Sequence, residues 1–353
     1  MLDRLPLVSS LKRDVVLLQQ ALYQRRAPRV VVLGSVESGR SVLMNALLGK
    51  EVFEADRPAA PPGEWLRIEA LQTVVDWLEL DAETPPKVLE ELLRGAVSKM
   101  DPDVLVFICG DSEIEESLGA RVDVLSAVLS SLQAQLGRPV PFAAIAAGGG
   151  DDDGGVIGDL LAQKLRAALS AAHLVPAVVL CTPLLATDGG LVSDPSVVDL
   201  SDAIVRAVPD SGRLEAARAF NQATTARREL ASAIVHACAA VSLTVGLTPI
   251  PLSDAFVIGP LQGVMVSAVI HVSGRSWNVK TVSQWIASLG VIGGAGLGLR
   301  WTAQQLVKLI PGAGSLVSAG VAGAGTAALG QSAIAYFLGK RALADLPSGE
   351  QGR

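Results

Sequence analysis

Aromatic residues are scarce. They make up 4% of the 353 residues, although 50% of the chain is apolar. The apolar weight therefore sits in Ala, Val, Leu and Ile, with 35 glycines mixed in. That composition favours closely packed helices and strands buried on both faces. Cysteine is scarcer still. Cys109, Cys181 and Cys238 lie far apart, each in an apolar run, with no metal-ligand spacing among them. They read as small core residues of a reduced, cytosolic protein. His173, His236 and His271 are equally isolated and form no cofactor cluster. No basic run is present and the formal net charge is -6, so there is no electrostatic case for nucleic acid. The opening residues MLDRLPLVSSLKRD carry early charges and no long apolar stretch, unlike a secretory signal peptide.

What is present alternates. Leu11, Val15, Leu18 and Leu22 fall at helical spacing and predict a helix over Leu7–Arg26, stopped by Pro28. The β-branched run Arg29–Leu33 ends at Gly34 and is too short for a helix, so it predicts a buried strand. Further strands are expected at Trp65–Leu71, Val74–Leu80, Val104–Cys109, Phe142–Ala147 and Ala177–Cys181. Helical patterns at Ser41–Leu48, Lys87–Lys99, Ile114–Leu136, Val156–Ala172 and Val197–Val208 lie among or after them. Such alternation implies an α/β domain with a mostly parallel sheet covered by helices on both faces. Pro209-Asp210-Ser211-Gly212 reads as a linker, and no convincing strand follows it between Arg213 and Ala344. A charged helix over Arg213–Glu229 runs into apolar helices punctuated by Pro249, Pro251, Gly274 and Pro311. The expected organisation is an N-terminal helix (1–27), a P-loop domain (28–209), a linker helix (210–240), a hydrophobic Gly/Ala-rich helical domain (241–344) and a tail (345–353).

The segment between the first strand and the next helix reads Gly34-Ser35-Val36-Glu37-Ser38-Gly39-Arg40-Ser41. Glycine, four residues, glycine, a cation and a hydroxyl is the phosphate-loop spacing, except that the cation is normally lysine. Glycines let the backbone turn tightly around phosphates, and the helix N-terminus offers N–H groups and a positive dipole end to the anion. Ser41 stands where the magnesium-ligating hydroxyl belongs. Arg40 keeps the charge of lysine but not its volume.

The string VVVLGSVESGRSVLMNALLGKEVF resembles the phosphate loop and first helix of bacterial Era-like GTPases. The resemblance extends to about Pro209 and implies a G-protein-like domain that holds GTP or GDP with Mg2+ through residues Gly34–Ser41. The family's remaining motifs are altered. Residues 54–64, EADRPAAPPGE, hold no Thr or Ser for the magnesium-sensing loop. The Asp-x-x-Gly element has two possible registers. Either Asp81 takes the metal-side aspartate place and Thr84 the glycine place, or Glu83-Thr84-Pro85-Pro86 aligns and Pro86 replaces the glycine. Proline has no N–H to give the terminal phosphate. In place of Asn-Lys-x-Asp stands Gly148-Gly149-Gly150-Asp151. There Asp151 matches the base-recognising aspartate, or the run is simply an acidic loop. Cys181-Thr182-Pro183 is a weak match to the family's last loop. Hydrolysis in this family relies on magnesium, loop charge and an oriented water, so feeble or absent GTPase activity is expected.

The helical half resembles the C-terminal domain of unknown function that follows the GTPase domain in one Era-like family. Pro249-Ile250-Pro251 with Asp254, Pro311-Gly312-Ala313-Gly314 and Ala328-Leu329-Gly330 carry that resemblance, which implies a helical, often membrane-associated domain. A bilayer span needs about 20 apolar residues. Ala231–Thr248, Ala255–Ile270, Trp285–Leu299 and Leu309–Leu329 are each marginal by that measure. Small residues suit membrane helix pairs and soluble bundles alike. Arg275, Lys280, Arg300, Lys308, Lys340 and Arg341 outnumber Asp254, which suits an anionic lipid surface. The expectation is a GTPase-like switch or scaffold at the inner face of the cell membrane. It would touch lipid through residues 231–341 or else pair with a protein partner or a second copy. The competing reading is a pseudo-GTPase that binds no nucleotide and serves as an interaction module.

Overall fold

Arg29–Gly34, RVVVLG, forms strand β1, and every residue after Arg29 is buried. Its β-branched side chains pack on both faces, as a central parallel strand requires. The computed structural model describes residues 25–49, 51–52, 61–70, 73–148, 154–182, 195–220, 222–247, 258–275, 285 and 314–339. All but the last two residues of the expected helix Leu7–Arg26 lie outside them, as does Asp151.

The described elements after β1 are α1 (Arg40–Leu48), β2 (Trp65–Ala70), β3 (Thr73–Asp81), α2 (Pro86–Val97), β4 (Val104–Gly110), α3 (Asp111–Glu116) and α4 (Leu118–Leu136). Then come β5 (Phe142–Ala147), α5 (Gly154–Ala171), β6 (Val178–Thr182), α6 (Pro195–Ala207) and α7 (Asp210–Ala219). Each expected strand is present to within a residue at either end. The sheet order is β2-β3-β1-β4-β5-β6. Only β2 is antiparallel, paired to β3; the other pairings are parallel. This is the mostly parallel, helix-covered sheet expected of a P-loop G-protein-like domain.

One face buries Val31, Leu33, Leu78, Leu80, Phe107 and Ala144 against α2, α4 and α5, which supply Leu93, Leu125 and Leu165 among others. The opposite face carries Val30, Val32, Trp77 and Ile145, also buried, where α7 packs on β3, and α6 on β5, β6 and α1. At the amino ends of the strands, the fully buried Asp103 receives both terminal nitrogens of Arg26 at 2.6 Å and the Arg29 N–H at 3.0 Å. That bond keeps the Arg26 guanidinium above its ordinary pKa. Removing one side of such a pair costs on the order of 3–5 kcal/mol, because the other charge is left buried.

Two features depart from expectation. The helix expected over Ile114–Leu136 begins at Asp111 and breaks at Ser117, whose φ is -139°. Glu113 reaches back to accept the Gly110 N–H at 2.8 Å, a capping arrangement that starts the helix early. The charged helix expected over Arg213–Glu229 is interrupted near Phe220, so that α7 ends at Ala219 and the next helix starts at Thr224. Asp210, in the segment read as a linker, instead opens α7 and pairs with Arg213 at 2.6 Å.

The chain divides into two compact units, Arg26–Ala226 and Met1–Arg25 with Arg227–Arg353. In the second, the described helices are α8 (Thr224–Leu247, whose first residues belong to the first unit), α9 (Gly259–Val272) and α10 (Gly314–Phe337). Gln262 donates to the Thr326 hydroxyl and Thr326 to Ser242, each at 2.9 Å. These two bonds tie the three helices together by polar side chains, as close-packed apolar helices often are. Gly330 lets α10 approach α8 at Val235; a Cβ there would lie 2.4 Å from a Val235 methyl. Arg228 donates to the Leu338 carbonyl at 2.8 Å. Among the described residues one helix, Thr224–Gly246, is long and apolar enough to cross a membrane, with mean hydropathy 1.5 over its most apolar 18 residues.

Candidate functional site

Parallel pairing sets the carboxyl ends of the strands side by side. Gly34 pairs with Asp81, Gly110 with Ala147 and Ala147 with Thr182. Chain order reverses around β1, and open α/β sheets bind ligands at such a point, beyond the strand ends. The loop Gly34–Ser41 occupies that position.

The loop leaves β1 through an extended Ser35, makes a 3-10 turn over Val36–Ser38, passes Gly39 at φ 82° and opens α1 at Arg40. Gly39 holds a left-handed conformation that other residues enter with strain. Gly34 is required by space: a Cβ would sit 2.7 Å from the Ser38 hydroxyl and 2.9 Å from the Ile108 carbonyl oxygen. Ser38 donates its hydroxyl to the Ser35 carbonyl at 2.8 Å, closing the turn from inside. Val36 and Glu37 are exposed. No side chain caps the amino end of α1, so its first turn presents backbone donors to the loop. The carbon and nitrogen frame of an anion loop is therefore in place.

Its chemistry is diverted. Arg40, in the lysine place, is 4% exposed and donates Nη1 to the Leu80 carbonyl at 3.2 Å. That bond turns one of its guanidinium donors toward the end of β3. Ser41 is buried beside it. Asp81 stands at the strand end next to Gly34, the place that the first register gives the aspartate. Its Oδ1 accepts the Glu83 N–H at 3.0 Å. The Thr84 N–H goes to the Asp81 carbonyl at 3.1 Å, and the Ala82 N–H to the Gly34 carbonyl at 3.2 Å. Pro85 and Pro86 have no N–H to give. From Ala82 to Pro86, then, each backbone donor is either used or missing. In the first register the Thr84 amide is thus already bonded to the Asp81 carbonyl, and in the second Pro86, which opens α2, has no amide N–H to give.

The structure thus brings together Gly34, Ser35, Val36, Glu37, Ser38, Gly39, Arg40, Ser41 and Asp81. Gly148 follows β5, and its N–H donates to the Thr182 carbonyl at 3.2 Å. The Thr182 hydroxyl is buried with no hydrogen-bond partner. No group of three or more His, Cys, Asp or Glu that could hold a metal is found among the described residues. Two residues at the site escaped sequence reasoning, Arg121 and Glu113. Arg121 bonds to Glu83 across 38 positions of sequence, which no local pattern signals. Glu113 was legible as the third residue of a helix start.

No protein-family model matches the chain. No curated protein matches it either. Among solved structures it is similar to the signal recognition particle receptor SRb-GTP/SRX complex from Chaetomium thermophilum, at 14% identity and TM-score 0.30, over 47% of this chain and 94% of that one. It is also similar to Era from Aquifex aeolicus bound to GDP.AlF4-, at 16% identity and TM-score 0.33, over 65% of this chain and 70% of that one. The chain's own strand order and the loop after β1 are what define its fold as P-loop GTPase-like.

Cys109 lies fully buried on β4. Burial pushes its thiol up to about 12, helped by Glu113 and opposed by Arg121. An unfolded thiol ionises near 9.0, so the stability gained by keeping Cys109 protonated is complete below that pH. It is lost as pH rises toward about 12. Denaturant titrations of wild type and Cys109→Ala from pH 8 upward should show a steeper fall for wild type, by up to roughly 1.4 kcal/mol per pH unit. Parallel curves would contradict this.

Proposed function

We propose that Arg26–Ala226 is a G-protein-like nucleotide-binding module that holds GTP or GDP with Mg2+ at Gly34–Ser41 and does not hydrolyse it at a useful rate. The observation carrying this reading is the loop itself: its glycine geometry and uncapped helix start are retained, while the Ala82–Pro86 turn has no backbone donor left for a terminal phosphate. Ser41 and Asp81 suit magnesium in the manner usual for that ion, one or two protein oxygens completed by phosphate and water. When bound, magnesium would neutralise phosphate charge. In this chain Arg40, held to Leu80, adds little to that. Asp151, outside the described residues, matches the base-recognising aspartate by motif alone. Era-like ancestry is supported by the Gly34–Ser41 loop and by the Pro249-Ile250-Pro251, Pro311–Gly314 and Ala328–Gly330 strings.

The helices after Arg227 attach the module to the cytoplasmic face of a membrane. Support comes from the one span-length helix among the described residues and the basic excess of this half. Contact with a protein partner or a second copy would use the same helices. A second reading, a scaffold that binds no nucleotide, is favoured by Arg40 being fixed to Leu80 and by Ser38 filling the loop.

Titration of the purified protein with fluorescent GTP, GDP and ATP analogues plus Mg2+ separates the two readings. Saturable guanine-nucleotide binding with a Kd weaker than about 1 µM, abolished by Gly39→Asp, is the expected result. No binding at millimolar nucleotide, or binding that Gly39→Asp leaves intact, would reject the first reading. For the attachment, the full chain should float with phosphatidylglycerol-containing vesicles in a density gradient. Recovery of all of it in the soluble fraction defeats the membrane proposal.

A further inference from the structure

The turn after β3 is tied down from a second direction, by an arginine for which the nucleotide reading has no use. Arg121 lies in the first turn of α4, with its side chain 16% exposed. Its guanidinium makes two hydrogen bonds and one close ion pair. Nη1 donates to the Ala82 carbonyl at 3.1 Å and Nη2 to the Glu83 carboxylate at 2.7 Å, while Nε lies 2.9 Å from Glu113 Oε1 without hydrogen-bond geometry. The other Glu113 oxygen accepts the Gly110 N–H at 2.8 Å. One planar fork therefore joins the turn after β3, the turn after β4 and helix α4. A lysine has no planar fork with which to hold the Ala82 carbonyl and the Glu83 carboxylate together.

These two turns flank the Gly34 loop. Ala82 bonds to the Gly34 carbonyl, and Gly110 backs onto Ser38, whose Cα would lie 4.0 Å from a Cβ added there. Glu113, with its side chain 11% exposed, and Arg121 are largely out of water, so their pairing is not screened as a surface pair is. Glu83, 62% exposed, is the outer leg. Moving the turn would break the Arg121 bonds to the Ala82 carbonyl and the Glu83 carboxylate and leave those two guanidinium nitrogens without their partners. A ligand can offset that cost only through contacts it makes better in the moved state. The turn has no free N–H between Ala82 and Pro86 with which to make them.

We propose that Arg121 is a latch that holds the Asp81–Pro86 turn in one conformation whatever occupies the Gly34 loop, so that this turn is a fixed wall and not a moving switch. The latch does not depend on whether the Gly34 loop binds nucleotide.

Hydrogen–deuterium exchange on the full chain tests it, with wild type, Arg121→Gln, Arg121→Lys and Glu83→Gln followed over peptides spanning 79–88. Wild type should protect the Ala82, Glu83 and Thr84 amides. Arg121→Gln should speed their exchange by at least about tenfold, Arg121→Lys nearly as much, and Glu83→Gln less. Should Arg121→Gln fail to fold, Arg121→Lys and Glu83→Gln decide the matter by the same ranking. Unprotected amides in wild type, or variants that exchange at the wild-type rate, would overturn the latch. Repeating wild type with a non-hydrolysable GTP analogue and Mg2+ should leave 79–88 unchanged, and altered exchange there would also overturn it. Peptides over 34–41 report separately whether the analogue bound, so failure of the nucleotide reading is not mistaken for failure of the latch.

Discussion

β1 is buried on both faces and paired on both edges, to β3 on one side and β4 on the other, and the candidate site is built outward from that constraint. A strand so enclosed must be short, apolar and parallel to its neighbours. It must also deliver its last residue to the carboxyl edge of the sheet, between the ends of β3 and β4. Gly34 is that residue, and the space around it admits no side chain. The loop that follows inherits its place from the strand, and the helix after Gly39 turns its backbone donors toward it.

The same closeness accounts for what the site has lost. Gly34 and Ala82 are near enough to bond, and Arg40 is near enough to reach Leu80. Polar groups that could face a ligand are instead satisfied by one another. Asp81 caps its own turn, and Ser38 closes the loop from within. A buried polar group costs free energy unless bonded, and these groups stabilise the fold by internal pairing. Arg121 extends this pairing to the turn beyond β4. The result is a phosphate-loop frame with quiet surroundings.

Much of this was legible in the sequence because it is local. The strands showed as β-branched or Ala-rich apolar runs between turns, and the glycine spacing of Gly34 and Gly39 marked the loop. Pro85 and Pro86 announced the missing amide without a structure. Arg40's partner was not legible, since the replacement of lysine says nothing about where a longer side chain will bond. Nor was the Arg121 cluster, which joins three segments distant in sequence. The break at Ser117 was hidden because apolar spacing runs on across it from Ile114 into α4. In the helical half, the Gln262–Thr326–Ser242 contact could not be read, because a polar residue in an apolar helix does not reveal which neighbour will accept its bond.

We propose that this G-protein-like frame is retained without efficient GTP turnover. Single-turnover measurement of phosphate release, with protein in excess over GTP and Mg2+ present, tests it most directly. Phosphate release no faster than that of the Gly39→Asp protein over many hours is the expected result. Release at or above about 10⁻⁴ per second, the rate of an unassisted G protein, would contradict the account.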